Sequence, residues 1–264
     1  MQDVGDLLST LRGAAAAAPA ATACLLVLLA VLAAGRWCGL RDIGAPSLVS
    51  CRCGKVVIEF PEPQPRYRIG CCCHDCKQKL AWAATRGGPA LPAQVLDHTR
   101  PLDLVYFANC FRILRGKACL AFYRLREDSA TTNCVSTCCN TTLMVDAPFY
   151  KEKCVLIQSD AARVETDFSE SMRPHLYIAL DKWPADKARA LPTLATGQTG
   201  DPAVVQDAEA RKQVFKSFRE KCYAPPPEWA VSDGSYYAST FKSILEEAGG
   251  AVETIGLVEG APVE

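Results

Sequence analysis

Four cysteines fall within six residues at Cys71-Cys72-Cys73-His74-Asp75-Cys76, and no other stretch constrains the chain as tightly. Cys51-Arg52-Cys53-Gly54 lies upstream and Cys134-Val135-Ser136-Thr137-Cys138-Cys139 downstream. Thiolates are soft ligands that suit zinc, and a structural zinc takes four of them at tetrahedral corners. Two cysteines one or a few residues apart can grip an ion from a tight turn, so the three clusters hold enough sulfur for two zinc ions. A disulfide scaffold is the competing account. The total of 15 cysteines is odd, and neighbours such as Cys71, Cys72 and Cys73 are poorly placed to pair with one another. The clustering favours metal, and with it a reducing compartment.

At 264 residues the chain has room for one full domain with appendages. Its formal net charge is zero, so no global field draws it to polyanions, and no nucleic-acid partner is expected. Gly13 to Gly35 is uncharged, with an apolar centre from Cys24 to Leu32. At about 1.5 Å per residue it is long enough for a bilayer core of about 30 Å. Residues 13–35 are expected to form a single-pass membrane helix, the alternative being a cleaved signal or organelle-targeting segment. Arg36, Arg41, Arg52 and Lys55 follow this stretch and only Arg12 precedes it, which puts the C-terminal body in the cytosol.

Residues 1–35 thus read as an anchor or targeting segment and 36–50 as a linker. The body then shows short β-rich runs: Val56 to Phe60, Leu102 to Phe107, Leu120 to Leu125, Thr141 to Val145, Cys154 to Ile157 and His175 to Leu180. Runs of this length and spacing predict a mainly antiparallel β domain over residues 51–185. Gly87-Gly88-Pro89 and Arg115-Gly116-Lys117 are turn signals, the second a hairpin candidate. Residues 186–264 form a helical extension. Val204 to Cys222 carries one apolar stripe, and Tyr237, Phe241, Ile244, Leu245 and Ala248 carry another before Gly249-Gly250. His74 and Asp75 are candidates to orient ligands or move a proton, though such residues more often cap a turn. Cys110, Cys119 and Cys154 read as small core residues.

The order Cys51-x-Cys53-Gly54, Cys71-x-Cys73-x-x-Cys76, then Cys139-Asn140-Thr141-Thr142-Leu143 resembles the glutathione-dependent formaldehyde-activating enzyme family, which includes centromere protein V. The resemblance runs from Cys51 to Trp183 and implies a zinc-stabilised β-tent fold. It implies a structural zinc on Cys51 and Cys53 with two of Cys134, Cys138 and Cys139, and a second zinc on Cys71, Cys73 and Cys76. The downstream pair departs from the family spacing, Asn140 stands at its usual Gly, and Cys72 is either a spare thiol or an alternative ligand. Four thiolates close a zinc site, whereas three leave a corner for water or substrate. The resemblance therefore implies a carbon–sulfur lyase with Cys71, Cys73 and Cys76 at its reactive site. Its partners would be a small thiol such as glutathione and a small aldehyde such as formaldehyde. Arg52, Arg66, Arg68, Lys77 and Lys79 are candidates to hold the carboxylates of a glutathione-like tripeptide. The alternative is a non-catalytic zinc module that binds protein or nucleic acid.

Overall fold

The computed structural model describes residues 45–166, 174–194, 196, 198–201, 208–232 and 236–259. Period-two alternation sets its layers. The central strands are buried on both faces, so each face needs a cover. In the strand Leu102–Ala108, Leu102, Leu104 and Tyr106 join one apolar cluster, and Val105 and Phe107 join another. The strand Cys154–Gln158 alternates in the same way, with Leu156 in the first cluster and Val155 and Ile157 in the second.

In chain order the strands are β1 (Ser47–Ser50), β2 (Val57–Phe60), β3 (Tyr67–Cys71), β4 (Leu102–Ala108), β5 (Arg112–Arg115) and β6 (Leu120–Arg124). They continue with β7 (Thr132–Ser136), β8 (Thr141–Asp146), β9 (Cys154–Gln158), β10 (Arg163–Glu165), β11 (Tyr177–Ile178) and β12 (Glu253–Thr254). The helices are α1 (His74–Thr85), α2 (Ala93–Leu96), α3 (Ala185–Arg189), α4 (Ala208–Cys222), α5 (Glu228–Val231) and α6 (Phe241–Glu247). An eight-stranded sheet runs β11-β3-β4-β9-β8-β7-β6-β12, antiparallel except where β11 and β12 join its edges. A four-stranded antiparallel sheet, β10-β1-β2-β5, covers one of its faces.

Between the sheets, Val49, Ile58 and Phe60 pack with Val105, Phe107, Leu143 and Ile157. The Phe60 and Phe107 rings stack at 4.6 Å. α6 also enters this layer through Phe241 and Ile244, and is started by a capping box between Thr240 and Ser243. On the other face, Leu80 of α1 and Phe218 and Cys222 of α4 pack against Tyr67, Leu104 and Tyr106. The mainly β reading therefore stands, with two sheets and added helices.

Three expectations change. The stretch expected as a linker, 36–50, contains β1, because Ser47 to Ser50 pairs with Val57 to Phe60. Arg115-Gly116-Lys117 does not close a hairpin, since β5 and β6 belong to different sheets. Gly116 instead makes the crossover at φ +80°, where a Cβ would come within 2.8 Å of Val56 Cα. The single-pass membrane placement is also corrected. No helix among the described residues is long and apolar enough to cross a membrane. The longest, α4, has 15 residues and is repeatedly charged. The expected membrane helix at 13–35 lies outside the described residues.

Phe60 is fully buried between the sheets and touches the rings of Phe107 and Phe111. Phe60→Ala is expected to lower unfolding stability by about 3–5 kcal/mol, read from the midpoint shift in a denaturant titration.

Candidate metal centre

Two hairpin loops, one from each sheet, meet at the first cysteine group. The β1–β2 loop is closed by Cys51 N–H donating to the Val56 carbonyl at 3.1 Å and Gly54 N–H donating to the Cys51 carbonyl at 2.9 Å. Gly54 takes φ +75°, the left-handed conformation that lets the chain double back between Cys53 and Val56. The β7–β8 loop carries Cys138 and Cys139 between the paired Ser136 and Thr141. Thr137 N–H anchors it on the Cys119 carbonyl at 2.8 Å, and Arg52 N–H reaches across to Thr141 Oγ1 at 3.0 Å.

The result brings together the sulfurs of Cys51, Cys53, Cys138 and Cys139, all within 4.8 Å of one another. Cys51 Sγ lies 3.5 Å from Cys53 Sγ and 3.8 Å from Cys138 Sγ, and Cys53 Sγ lies 3.4 Å from Cys138 Sγ. The described cysteines are all unpaired. Four thiolates about 2.3 Å from one ion would be about 3.8 Å apart, so the donor set fits a tetrahedral ion of that size. Burial acts to raise the Cys139 thiol, but hydrogen bonds with the Ser136 and Thr141 hydroxyls outweigh it and hold the group at about 6. Burial, with the neighbouring Cys53 and Cys51 thiols, pushes Cys138 up to about 12.

Of the three downstream candidates, the loop supplies Cys138 and Cys139. Cys134 is not brought to the group. It sits inside β7 opposite Phe122 and Met144, fully buried in the layer between the sheets.

The second group is Cys71, Cys73 and Cys76, whose sulfurs also lie within 4.8 Å of one another. Cys71 ends β3, Cys73 is the N-cap of α1 and Cys76 lies in its first turn. This run is therefore a strand end and a helix start, not a self-contained turn. Cys71 Sγ is 3.2 Å from Cys73 Sγ, which accepts a hydrogen bond from Cys76 N–H at 3.4 Å. The unsatisfied N–H groups of the helix start favour negative charge there. Hydrogen bonds from Cys71 and Cys73 hold the Cys76 thiol well below its usual range, so it is the first of the three to ionise. No fourth Cys, His or carboxylate among the described residues joins this group.

The neighbours divide clearly. Cys72 points away and is fully buried with Tyr177, Leu180 and Trp183, where burial raises its thiol. Asp75 is held by Arg126 through two hydrogen bonds of 3.1 and 3.0 Å. Nδ1 of His74 is buried with no hydrogen-bond partner. Arg66 is tied to Glu62 and to the carbonyls of Cys222 and Pro225, and Arg68 to Asp103. Lys79 donates to Thr131 Oγ1 at 2.8 Å, and only Arg52 stays exposed. The basic residues expected to hold a tripeptide's carboxylates are therefore mostly committed elsewhere. Lys77 is buried beneath Trp183.

Ser136, Thr141 and Lys77 were not singled out as supports by the sequence. The hydroxyls flanking Cys138-Cys139 were the available signal for the first two. A lysine one residue past a cysteine gives no sign that it will be buried. No protein-family model matches the chain, and no curated protein matches it.

Cys138→Ser is expected to remove one bound metal ion per chain and lower stability, whereas Cys134→Ser is expected to leave the metal count unchanged. Elemental analysis of the two purified variants beside wild type checks this.

Proposed function

We propose that this chain is a zinc protein of the glutathione-dependent formaldehyde-activating kind, with one closed structural zinc and one reactive zinc. The proposed reaction is that of a carbon–sulfur lyase on the adduct of a small thiol, such as glutathione, with a small aldehyde. The observation that carries this reading is the inequality of the two groups, four sulfurs in one and three in the other. Two sheets joined at the four-cysteine group also suit the β-tent architecture that the family implies.

Cys71, Cys73 and Cys76 would hold the zinc through three thiolates, and the ion would supply the positive charge that lowers the pKa of a substrate thiol. The residues of the chain do the rest. Cys71, Cys73 and Cys76 fix the site between a strand end and a helix start, so its position follows the sheet. The start of α1 favours the negative charge that develops when the thiol ionises. His74, next to Cys73 with a buried and unpartnered Nδ1, is the group proposed to move the thiol proton.

The test follows exchange between glutathione, formaldehyde and their S-hydroxymethyl adduct by NMR, using the full chain loaded with zinc. Wild type is expected to accelerate the exchange. Cys73→Ser is expected to stay folded, keep one zinc and return the rate to that without protein. No acceleration by wild type carrying two zinc ions would defeat the lyase and leave the non-catalytic zinc module.

A further inference from the structure

The C-terminal part of the chain fastens α1 from the edge of the large sheet. After α6, Gly249 and Gly250 turn the backbone at φ +88° and +70°, with open space around both. β12 then pairs in parallel with β6, Glu253 opposite Tyr123 and Thr254 opposite Arg124. Ile255 N–H donates to the Arg124 carbonyl and Gly256 N–H to the Leu125 carbonyl, each at 3.0 Å. Arg124 Nε donates to Thr254 Oγ1 at 3.1 Å. Gly256 takes φ +74°, and beyond it the chain leaves the sheet edge for the helix, where Val258 N–H donates to Gln78 Oε1 at 2.8 Å.

Gln78 lies within α1 and is only 1% exposed. Its Oε1 accepts from this segment, while its Nε2 is buried without a partner. A buried amide left wholly unpaired is costly, so the segment and α1 stabilise each other's position. The apolar contacts point the same way. Trp82 and Ala83 of α1 pack with Tyr123 and Val135 in a small cluster separate from the two main layers, and Ile255 and Val258 pack against it. The Trp82 and Tyr123 rings lie 4.4 Å apart. The covering segment itself is shallow. Glu253, Thr254, Leu257 and Glu259 are exposed, and Ile255 and Val258 are half-buried. A short edge segment with few buried contacts opens more readily than central strands such as β4 and β9.

We propose that residues 251–259 form a detachable strap that latches α1, so that its release loosens the helix and the cysteines at its start while both sheets stay folded. The helix is the link, since Cys73 caps it, Cys76 lies in its first turn and Gln78 follows two residues later. The strap thereby sets how firmly Cys73 and Cys76 are held against Cys71, which belongs to β3. None of the four cysteines of the other group lies on α1. The consequence for an ion at Cys71, Cys73 and Cys76 rests on the reading proposed above, whereas the latch does not.

The test is hydrogen exchange read by mass spectrometry on the full-length chain loaded with zinc, with zinc counted on the same samples. In wild type the amides of 253–258 are expected to exchange about tenfold to a hundredfold faster than those of β4 and β9. Val258→Pro removes the N–H that reaches Gln78, and Ile255→Asp places a charge against the Trp82 cluster. Each is expected to speed exchange in α1 by about tenfold and leave β4 and β9 as in wild type. Both are also expected to yield one zinc to a chelator faster than wild type and to hold the other as before. Leu257→Ala, at an exposed position, is expected to match wild type. Exchange of 253–258 no faster than that of β4 and β9 would overturn the proposal, because the segment would then open only with the whole domain. So would strap variants that leave α1 unchanged, or that speed β4 and β9 equally. A loosened α1 with both ions held as in wild type would overturn the coupling to Cys73 and Cys76. A wild-type chain that binds a single zinc would defeat the reading of an ion at the three-cysteine group, and the exchange pattern would still decide the latch.

Discussion

The meeting of the β1–β2 and β7–β8 loops at four sulfurs is the constraint on which the rest of the architecture depends. The two loops belong to different sheets, and Cys51 and Cys138 are 87 residues apart in the chain. A hydrogen bond from the Arg52 backbone N–H to the Thr141 side-chain Oγ1 also spans the junction. For a covalent clip, closing a loop of that length restricts the unfolded chain by about 4–5 kcal/mol, and a metal clip acts in the same direction. The apolar layer between the sheets supplies most of the burial. The cysteine junction fixes how the two sheets are registered at their common end.

α1 connects this junction to the second group. Cys73 caps its start and Cys76 lies in its first turn, and the chain leaving its last turn packs under the β7–β8 loop. There the Asn140 side-chain amide donates to the Arg86 carbonyl at 2.5 Å. Gly88 lets the backbones approach, since a Cβ at that position would overlap the Asn140 carbonyl and lie 2.7 Å from the Ala83 carbonyl. A helix of 12 residues spans about 18 Å, so the two cysteine groups sit at opposite ends of one rigid element and cannot share an ion. In the proposed reading the four-cysteine group serves the fold and the three-cysteine group the chemistry.

Much of this was legible in the cysteine spacing and the short apolar runs. β4, β6, β8 and β9 lie where those runs fall, because burial of strand residues leaves a compositional trace. The division into two cysteine sets was implied by the resemblance, but which two of Cys134, Cys138 and Cys139 join the first set stayed open, and only the placement of Cys134 inside β7 decides it. α1 was hidden. Its buried face includes Lys77, Gln78 and Lys79, which read as solvated residues in sequence. Each is explained by contacts that only the fold creates. Gln78 Oε1 accepts from Val258 N–H at 2.8 Å, Lys79 reaches Thr131, and Lys77 lies under Trp183. β1, β5 and β10 were missed for a related reason, since short strands of the smaller sheet carry too few apolar residues to stand out from loops. The turn at Gly116 was recognised, but a turn signal does not say whether the next strand returns to the same sheet.

The central claim is that the chain holds two ions in unequal sulfur environments. X-ray absorption at the zinc edge of the full chain, with zinc counted per chain, tests it most directly. The account predicts two zinc ions per chain and an average of about three and a half sulfurs per zinc, the balance being a lighter atom. A single zinc with four sulfurs, or two zinc ions each with four, would contradict it.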